Sequence, residues 1–484
     1  MHSNSPHNPE GFKEALKLFQ ESARVVPAYR FFLRKRGINP KNIKSYADFI
    51  KVPSMDKVNY LRAFDFFDLF PKRQIPPMIS ASSGSSGKPF YWPRGDWQEE
   101  AGGRQHERIF RDIFGVKKNE RTLVVICFSM GTWIAGTFTM ASVRWLSRRG
   151  YNISVITPSI EKEDAVMILR DLAPSFKRTI LAGYPPLLRD VLEEALVQKI
   201  NIKNLRLNLL FAGENFSEKY RSIMHKIAGI KNGSNNSNGF SGSVSIYGTA
   251  DAAAIGHETP ASIFIRKLAS ENKTFAKKLG FEEFIPTIVQ YDPGQVFFEM
   301  VGGELLFSAR AGIPLLRYNI HDTGRIVSHK EMRAILKKAG VSDRVKQLGF
   351  DKWKRPFIFL GSRSDVATTF YALNIFPENI KSGLEKKDVY KFVSGKFIAY
   401  TRLFRNGRDQ KLFVEVELAR GLKPSPVIIF KIRQSVFEGL VSMNMEYRKL
   451  HRSIGVKALP NIILAPFGDA RFRVSKAKHR WSKR

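Results

Sequence analysis

Residues 81–90 read Ala81-Ser82-Ser83-Gly84-Ser85-Ser86-Gly87-Lys88-Pro89-Phe90, and they bear more on the architecture than any other ten residues of the chain. The Ser and Gly residues leave the backbone free to curl, so that N–H groups and hydroxyls converge on a phosphate chain. Lys88 adds a positive charge. Taken alone, such a run more often marks a flexible linker. The segments that follow decide between these two interpretations.

The composition is that of a large globular protein. The 484 residues are enough for two or more domains, and 43% of them are hydrophobic. The single cysteine, Cys127, lies in an apolar run, which excludes a disulfide framework, a cysteine zinc cluster and an iron–sulfur site. No run approaches the ~20 apolar residues of a membrane span, and the N-terminus lacks a signal-peptide pattern. We therefore expect a cytoplasmic protein with no transmembrane segment.

The chain carries a large excess of positive charge. Its 79 Lys and Arg residues against 44 Asp and Glu residues give a net charge of +35. This excess is compatible with nucleic acid, an anionic surface, an acidic protein partner or anionic substrates. The basic residues are spread along the whole chain, and no zinc finger or aromatic RNA-binding signature accompanies them. A nucleic-acid-binding protein is therefore the alternative hypothesis, and the charge is interpreted as a modifier of function.

From residue 120 onward, short apolar strands alternate with amphipathic helices. This alternation predicts βαβ units around a parallel sheet, hence an α/β fold. The predicted strands are 122–128, 153–157, 179–182, 207–212 and 243–247. The helices predicted between them are 163–172, 186–198 and 217–228.

The pattern changes after Gly361 to an α+β one. Strands are predicted at 412–418 and 427–432, and a helix is predicted at 434–442. We therefore predict two domains, an N-terminal domain of residues 1–361 and a smaller C-terminal domain of residues 362–484.

Several polar motifs follow predicted strands, where ligands bind in open α/β sheets. In residues 245–251, Tyr247 offers a flat face for a base, and Asp251 offers a hard carboxylate of the kind that Mg²⁺ prefers. In residues 317–325, the two oxygens of Asp322 can hold a ribose diol. The other motifs are 211–215, 361–365 and the basic tail at 471–484. Taken singly, the strand-end motifs fit plain turns equally well, and the tail fits a solvated terminus better.

In their order along the chain, these segments resemble the acyl-adenylate-forming enzyme superfamily, and phenylacetate–CoA ligase and its relatives most closely. Residues 81–89 are similar to that family's phosphate loop, Ser-Ser-Gly-Thr-Thr-Gly-Lys-Pro. The resemblance covers nearly the whole chain. It implies a large AMP-binding domain of layered βαβ sheets with a small β subdomain, followed by a smaller mobile α+β domain.

The resemblance also implies a role for each matched residue. The β- and γ-phosphates of ATP would be held by Ser82, Ser83, Gly84, Ser85, Ser86, Gly87 and Lys88. The rest of the nucleotide would be flanked by Gly213, Glu214, Tyr247, Gly248, Thr249, Asp322 and Arg363. Asp251 would bind Mg²⁺, and Lys476 would meet the carboxylate and the α-phosphate during adenylation. Asp365 would be the hinge between the two domains.

The implied activity is that of an ATP-dependent acid–thiol ligase. Such an enzyme adenylates a carboxylic acid, here an aryl or other apolar acid, and then transfers the acyl group to coenzyme A. The phosphopantetheine arm of an acidic carrier protein is the alternative acceptor, and a homodimer is compatible with the family. A relative that kept the fold and lost catalysis is a further alternative.

The chain departs from the family pattern at several motif positions. Ala250 stands in the usual threonine position, and Asp251 is one methylene shorter than the usual glutamate. Asn319, Ile320 and His321 replace Arg-Thr-Gly, and Ser475 precedes Lys476 in place of glycine. These changes bear on efficiency and on the substrate class more than on the fold.

Overall fold

The computed structural model describes residues 8–81, 90–230, 235–236, 239–240, 242–281, 285–363, 368–371, 373–404, 409–472 and 481, with the backbone alone for 235–236, 239–240, 362–363 and 409. The chain divides into two compact units. The first unit comprises Met1–Glu214, Met224–Phe275 and Thr287–Gly361. The second unit comprises Asn215–Ile223, Ala276–Pro286 and Ser362–Arg484. The assignment of residues 1–361 and 362–484 to a fixed and a mobile domain stays a prediction.

The α-helices occur in both units. The first two of them each have a proline at the first helical position. None of the helices in the described part of the chain is long and apolar enough to cross a membrane. The helices are α1 (Pro9–Val25), α2 (Pro27–Lys35), α3 (Tyr46–Phe49), α4 (Asp96–Arg108), α5 (Ile134–Arg148), α6 (Lys162–Asp171), α7 (Pro185–Val197), α8 (Glu218–Ile227), α9 (Pro260–Glu271), α10 (Lys273–Lys278), α11 (His329–Lys338), α12 (Ser342–Gln347), α13 (Pro377–Leu384), α14 (Pro426–Met443) and α15 (Met445–Ile454).

The three longest β-strands, β14, β18 and β19, lie in the second half of the chain. They are β1 (Met78–Ala81), β2 (Tyr91–Arg94), β3 (Thr122–Cys127), β4 (Ile153–Ile156), β5 (Arg178–Gly183), β6 (Leu207–Ala212), β7 (Asn235–Asn236), β8 (Gly239–Phe240), β9 (Ser243–Thr249), β10 (Ala253–His257), β11 (Thr287–Tyr291), β12 (Val296–Val301), β13 (Glu304–Ala309), β14 (Leu315–Val327), β15 (Phe357–Arg363), β16 (Thr368–Phe370), β17 (Leu373–Ile375), β18 (Val393–Phe404), β19 (Asp409–Leu418) and β20 (Asn461–Ala465).

An 11-stranded sheet is the frame of the first unit. Its strand order is β12-β13-β14-β15-β11-β10-β9-β6-β5-β3-β4. The neighbours β4, β3, β5, β6 and β9 run parallel, with helices in the connections, and this confirms the predicted βαβ alternation. From β9 to β10, β11 and β15 the pairing is antiparallel. The central parallel strands β3 and β5 are buried along their full length, which is typical of strands covered on both faces.

The N-terminal helices pack on the antiparallel end of this sheet. Phe19 of α1 and Tyr29 of α2 share a buried cluster with Phe297 of β12. Phe49 makes edge-to-face contacts with Phe19, at 5.9 Å, and with Phe297, at 6.4 Å between ring centroids. This packing carries the chain that follows α3 along the edge of β14, where it contributes to the candidate site.

The second unit has a three-stranded sheet, β18-β19-β20, and helices α13, α14 and α15 that share its core. One prediction here is wrong, because residues 427–432 are helical and belong to α14. Ser425 caps that helix by accepting a hydrogen bond from the N–H of Ile428, and Pro426 occupies its first turn. Ile432, Val436 and Leu440 lie four residues apart on one buried face, so helical packing overrides the strand preference of the β-branched run.

Candidate functional site

A β-hairpin holds both ends of the Ser/Gly run. β1 pairs antiparallel with β2, with Ala81 opposite Tyr91. The N–H of Ala81 also donates to the carbonyl of Thr132 at 2.7 Å. The run therefore begins and ends at paired strand residues of the first unit. The predicted phosphate-binding residues themselves lie outside the described residues, and these are Ser82, Ser83, Gly84, Ser85, Ser86, Gly87 and Lys88.

Gly213 and Glu214 come directly after β6, at the carboxyl end of a parallel strand. Gly213 has a φ of +91°, a backbone conformation that residues with a Cβ rarely adopt. The glycine therefore permits the turn that brings the half-buried Glu214 out of the sheet.

Tyr247, near the end of β9, is joined to Asp322 in β14. The Tyr247 hydroxyl donates a hydrogen bond to Oδ2 of Asp322 at 2.6 Å, across 75 residues of sequence. Asp322 is buried. Two side chains that the sequence places around one nucleotide are thus in direct contact.

The turn after Tyr247 is tightly packed. A Cβ on Gly248 would lie 2.9 Å from the carbonyl oxygen of Ala253, so a side chain there would displace the backbone. Oγ1 of Thr249 accepts a hydrogen bond from the N–H of Ala252 at 3.0 Å. This turn fixes the position of Asp251, which lies between these two residues.

Asp251 is buried and surrounded by donors and cations. The Tyr318 hydroxyl donates to its Oδ1 at 2.6 Å, and Nζ of Lys57 lies 3.5 Å from the same oxygen. Tyr318 belongs to the same motif as Asp322, so two hydrogen bonds join motif 245–251 to motif 317–325. A site of three or more His, Cys, Asp or Glu side chains able to hold a metal ion is absent from the described residues.

Arg94, the last residue of β2, completes this cluster. Its guanidinium donates through Nη2 to the carbonyl of Ala250. Arg94 is 1% exposed, and its Nε and Nη1 have no hydrogen-bond partner among the residues that the structure describes. Burial lowers the pKa of Arg94 to about 9, and the charge of Asp251 opposes that shift.

The segment that carries Lys57 is attached to β14. The N–H of Met55 donates to the carbonyl of Arg317 at 3.2 Å, and the N–H of Asn319 donates to the carbonyl of Met55 at 2.9 Å. The buried Arg317 side chain pairs with Glu299 at 3.2 Å and donates to the carbonyl of Val52. Arg317 is therefore a structural residue that keeps residues 52–57 beside the site.

The three positions that depart from the family pattern form their own network. Nδ2 of Asn319 donates to Oε2 of Glu304 at 2.7 Å, and Nδ1 of His321 lies 3.1 Å from Oε1 of the same carboxylate. Oδ1 of Asn319 accepts from the N–H of His321 at 2.7 Å. His321 has a φ of +63°, in the left-handed region, at a position where the family has glycine. The pair Asn319 and Glu304 therefore holds an unfavourable backbone conformation next to Asp322.

The remaining predicted residues belong to the end of β15 and to the second unit. Arg363 closes β15, and its backbone alone is described. The predicted hinge Asp365 and the predicted adenylation residue Lys476 lie outside the described residues.

The described residues that flank Lys476 in the sequence, Phe472 and Trp481, are packed in the second unit. Phe472 is fully buried, and the carbonyl of Trp481 accepts a hydrogen bond from the N–H of Ala399 at 2.8 Å. The Trp481 ring lies 4.6 Å from that of Phe397, and Nζ of Lys381 lies 4.1 Å above it. The interpretation of the whole tail as a solvated terminus is therefore wrong at Trp481.

Three residues of the site were missed by sequence reasoning. Tyr318 lies in motif 317–325, where the predicted role was that of Asp322, and Lys57 lies outside the predicted motifs. Arg94 carries no motif signal, because its contact with Ala250 spans 156 residues.

Comparison with known proteins gives two curated relatives and no matching family profile. The chain is 23% identical over 325 residues to a phenylacetate-coenzyme A ligase of Aromatoleum evansii. This match covers 66% of this chain and 66% of the relative. It is also 23% identical over 304 residues to a phenylacetate-coenzyme A ligase of Thermus thermophilus. This second match covers 60% of this chain and 60% of that relative. The matched region thus spans slightly less than two thirds of both relatives.

Solved structures share the fold over nearly the whole chain. A 2-hydroxyisobutyryl-CoA ligase in the postadenylation state, in complex with 2-HIB-AMP, has a TM-score of 0.66 at 14% identity and covers 98% of this chain and 88% of its own. An acyl acid amido synthetase in complex with 2,4-DB has a TM-score of 0.59 at 13% identity and covers 100% of this chain and 96% of its own. At these identities the likeness concerns the fold alone.

Proposed function

We propose that this chain, which has the fold of the acyl-adenylate-forming enzymes and is similar in sequence to phenylacetate–CoA ligases, is an ATP-dependent acid–thiol ligase. It converts a carboxylic acid and ATP to acyl-AMP and pyrophosphate, and then transfers the acyl group to a thiol. The observation that carries the proposal is the double contact between two motifs, Tyr247 with Asp322 and Tyr318 with Asp251.

Repulsion between negative charges opposes the first half-reaction. A carboxylate attacks the α-phosphate, so two anions must approach each other, and no general base is needed because the nucleophile is already ionised. Lys476 and the backbone amides of residues 82–88 are proposed to neutralise this charge. The loss of one such electrostatic partner typically lowers the rate by about 10²–10³-fold.

The nucleotide is proposed to lie along the strand ends of the first unit. Asp322, oriented by Tyr247, is proposed to bind the ribose hydroxyls. Gly213 and Glu214 follow the parallel neighbour of β9 and are proposed to flank the adenine. Arg363 is proposed to contact the ribose or the phosphates.

Asp251 fits a magnesium site as a single carboxylate ligand. Mg²⁺ is usually held by one or two carboxylates together with substrate phosphates and water. One oxygen of Asp251 already accepts a hydrogen bond from Tyr318, so the protein offers this ion little beyond the other oxygen. When bound with ATP, the ion would supply positive charge at the phosphates.

Coenzyme A is the proposed acyl acceptor. A carrier-protein phosphopantetheine arm is the alternative, and the net charge of +35 suits either anionic partner. The amido synthetase with the same fold makes an amine a third acceptor to test. An aryl or other apolar acid, a cytoplasmic location and a homodimer remain part of this proposal.

Acid-dependent exchange of pyrophosphate into ATP tests the adenylation step. We expect exchange with at least one member of a panel of aryl, branched and fatty acids, and thioester formation when coenzyme A is added. Lys476→Ala should abolish exchange while largely sparing thioester formation from supplied acyl-AMP. An absence of exchange across the panel, together with an absence of ATP binding by calorimetry, would refute the proposal.

The same assays separate the alternatives. A catalytically silent relative would bind ATP without exchange. A nucleic-acid-binding protein would bind nucleic acid tightly, with an affinity that falls steeply as the salt concentration rises.

A further inference from the structure

Arg94 presents a buried charge that its surroundings do not satisfy. It is 1% exposed, and of its donors only Nη2 has a partner, the carbonyl of Ala250. Nε and Nη1 make no hydrogen bond with any residue that the structure describes. A buried guanidinium is stable when its donors are paired and is costly otherwise. A buried guanidinium with unpaired donors therefore indicates a binding site for a ligand.

The charges around Arg94 indicate that this ligand is an anion. Asp251 is the carboxylate that acts on Arg94, and it is shared with Lys57, whose Nζ lies 3.5 Å from its Oδ1. With one carboxylate between two cations, this cluster carries one excess positive charge. The Tyr318 hydroxyl donates to the same Asp251 oxygen and adds no negative charge.

The position of Arg94 indicates which anion this is. β2 leaves the predicted phosphate loop, and its last residue, Arg94, pairs with Met78 on the strand that enters the loop. The backbone at this point has little freedom, because a Cβ on Gly312 would lie 1.9 Å from the carbonyl oxygen of Pro93. The guanidinium is therefore held beside Ala250, on the strand pair β1–β2 that joins the two ends of the predicted phosphate loop.

Resting on the proposed function, we infer that Arg94 binds a phosphate oxygen of the pyrophosphate half of ATP through one of its two unpartnered donors, Nε or Nη1. Arg94 thereby acts as a positioning residue for the leaving group. A guanidinium holds its N–H donors in one fixed plane, a geometry that the flexible ammonium of lysine does not reproduce.

Binding of inorganic pyrophosphate, ATP and AMP to the full chain tests this inference by calorimetry at constant ionic strength and without an acid substrate. We expect Arg94→Met to weaken pyrophosphate and ATP by about tenfold or more, as for the loss of a charged hydrogen bond. AMP binding should stay within about twofold of the wild type. Arg94→Lys, which keeps the charge, should weaken pyrophosphate by a smaller factor.

Melting temperatures distinguish a ligand site from a structural arginine. Without ligand, Arg94→Met should melt at or above the wild-type temperature, because a buried and partly unpaired charge is removed. The stabilisation of the wild type by pyrophosphate should be lost in the variant. Arg189→Met is the matched control, because Arg189 is also buried and is paired with Glu193 at 2.7 Å within α7. That variant should keep the pyrophosphate response.

Three results would overturn the inference. The first is a wild type that does not bind pyrophosphate. The second is a pyrophosphate affinity of Arg94→Met within twofold of that of the wild type. The third is an equal loss of AMP and pyrophosphate binding in Arg94→Met. If Arg94→Met does not fold, Arg94→Lys decides, with unchanged pyrophosphate affinity as the contrary result. The proposed function fails separately, by an absence of acid-dependent exchange in the wild type.

Discussion

The hydroxyl of Tyr247 lies 2.6 Å from Oδ2 of Asp322 and donates a hydrogen bond to it. The carboxylate proposed to bind the ribose is therefore oriented by the tyrosine proposed to flank the base. This contact couples two strands, β9 and β14, that are separated by three others in the sheet order. Removal of the Tyr247 hydroxyl should consequently weaken nucleotide binding.

Tyr247→Phe removes that hydrogen bond and keeps the ring. We expect the KM for ATP to rise by about tenfold, since hydrogen bonds to charged groups contribute about 1.5–3 kcal/mol. Pyrophosphate exchange at varied ATP concentration measures this change. Tyr151→Phe is the matched control, because its hydroxyl also donates to a carboxylate, Glu107 at 3.1 Å, on elements outside the site. Equal effects of the two substitutions would contradict the orienting role.

Substitutions at His321 test whether the backbone next to Asp322 is strained. At a φ of +63° a Cβ is unfavourable, so His321→Gly should be more stable than His321→Ala by about 1 kcal/mol. Urea unfolding of both variants gives this difference. At His329, the first residue of helix α11, the order should reverse, with alanine more stable than glycine. Alanine more stable than glycine at both positions would show that the conformation at 321 is not strained.

Buried His106 makes the stability depend on pH. Burial lowers its pKa from 6.5 to about 4. The unfolded chain therefore takes up the proton more readily between these values, and stability is lost as the pH falls through this window. The loss is up to about 3 kcal/mol, at ~1.4 kcal/mol per pH unit, and above pH ~6.5 it vanishes.

Urea unfolding of the wild type and His106→Gln between pH 7 and 4.5 measures this effect. The variant should lose less stability over this range than the wild type does. Burial also lowers the pKa of His257 to about 3, and the charge of His106 adds to that shift, so His106→Gln reduces the contribution of His257 in the same direction. Parallel pH profiles would contradict the assignment to His106.

Trp481 is expected to matter for catalysis as an anchor of the tail. Trp481→Ala removes the contacts with Phe397 and Lys381, and we expect a loss of about 1–3 kcal/mol in the second unit. Adenylation should fall by about tenfold or more, because Lys476 is part of the tail and contributes transition-state charge stabilisation in the proposed reaction. Unfolding curves and pyrophosphate exchange give the two quantities.

The control for Trp481 is Trp97→Ala, which removes a 39%-exposed indole at the start of α4 in the first unit. It should leave exchange unchanged. Full exchange activity in a folded Trp481→Ala protein would show that the anchor is not needed.

The parallel part of the fold was predictable because it depends on local patterns. The strand predicted at 207–212 is β6 itself, and the neighbouring strands and helices lie within one or two residues of their predicted ends. The resemblance to phenylacetate–CoA ligases is confirmed by the curated relatives and by the shared fold. The error at 427–432 arose where β-branched residues fit a strand by preference and a helix by spacing.

The candidate site was predictable only in part. Tyr247, Asp251 and Asp322 occur in ordered motifs, so the sequence shows them without their contacts. The contacts of Arg94 with Ala250 and of Lys57 with Asp251 join distant parts of the chain, and no local pattern encodes them. The roles of Lys88, Arg363 and Lys476 stay predictions.

The attachment of residues 52–57 to β14 has a consequence for synthesis of the chain. Val52 and Arg317 are 265 residues apart, and a ribosome adding 5–20 residues per second needs roughly 13–53 s to make that interval. During this time the aromatic face of α1 and α2 has no strand of β12–β14 to cover it. The nascent chain therefore exposes an aggregation-prone aromatic surface. The yield of folded protein should depend on chaperones that cover this surface until β14 emerges.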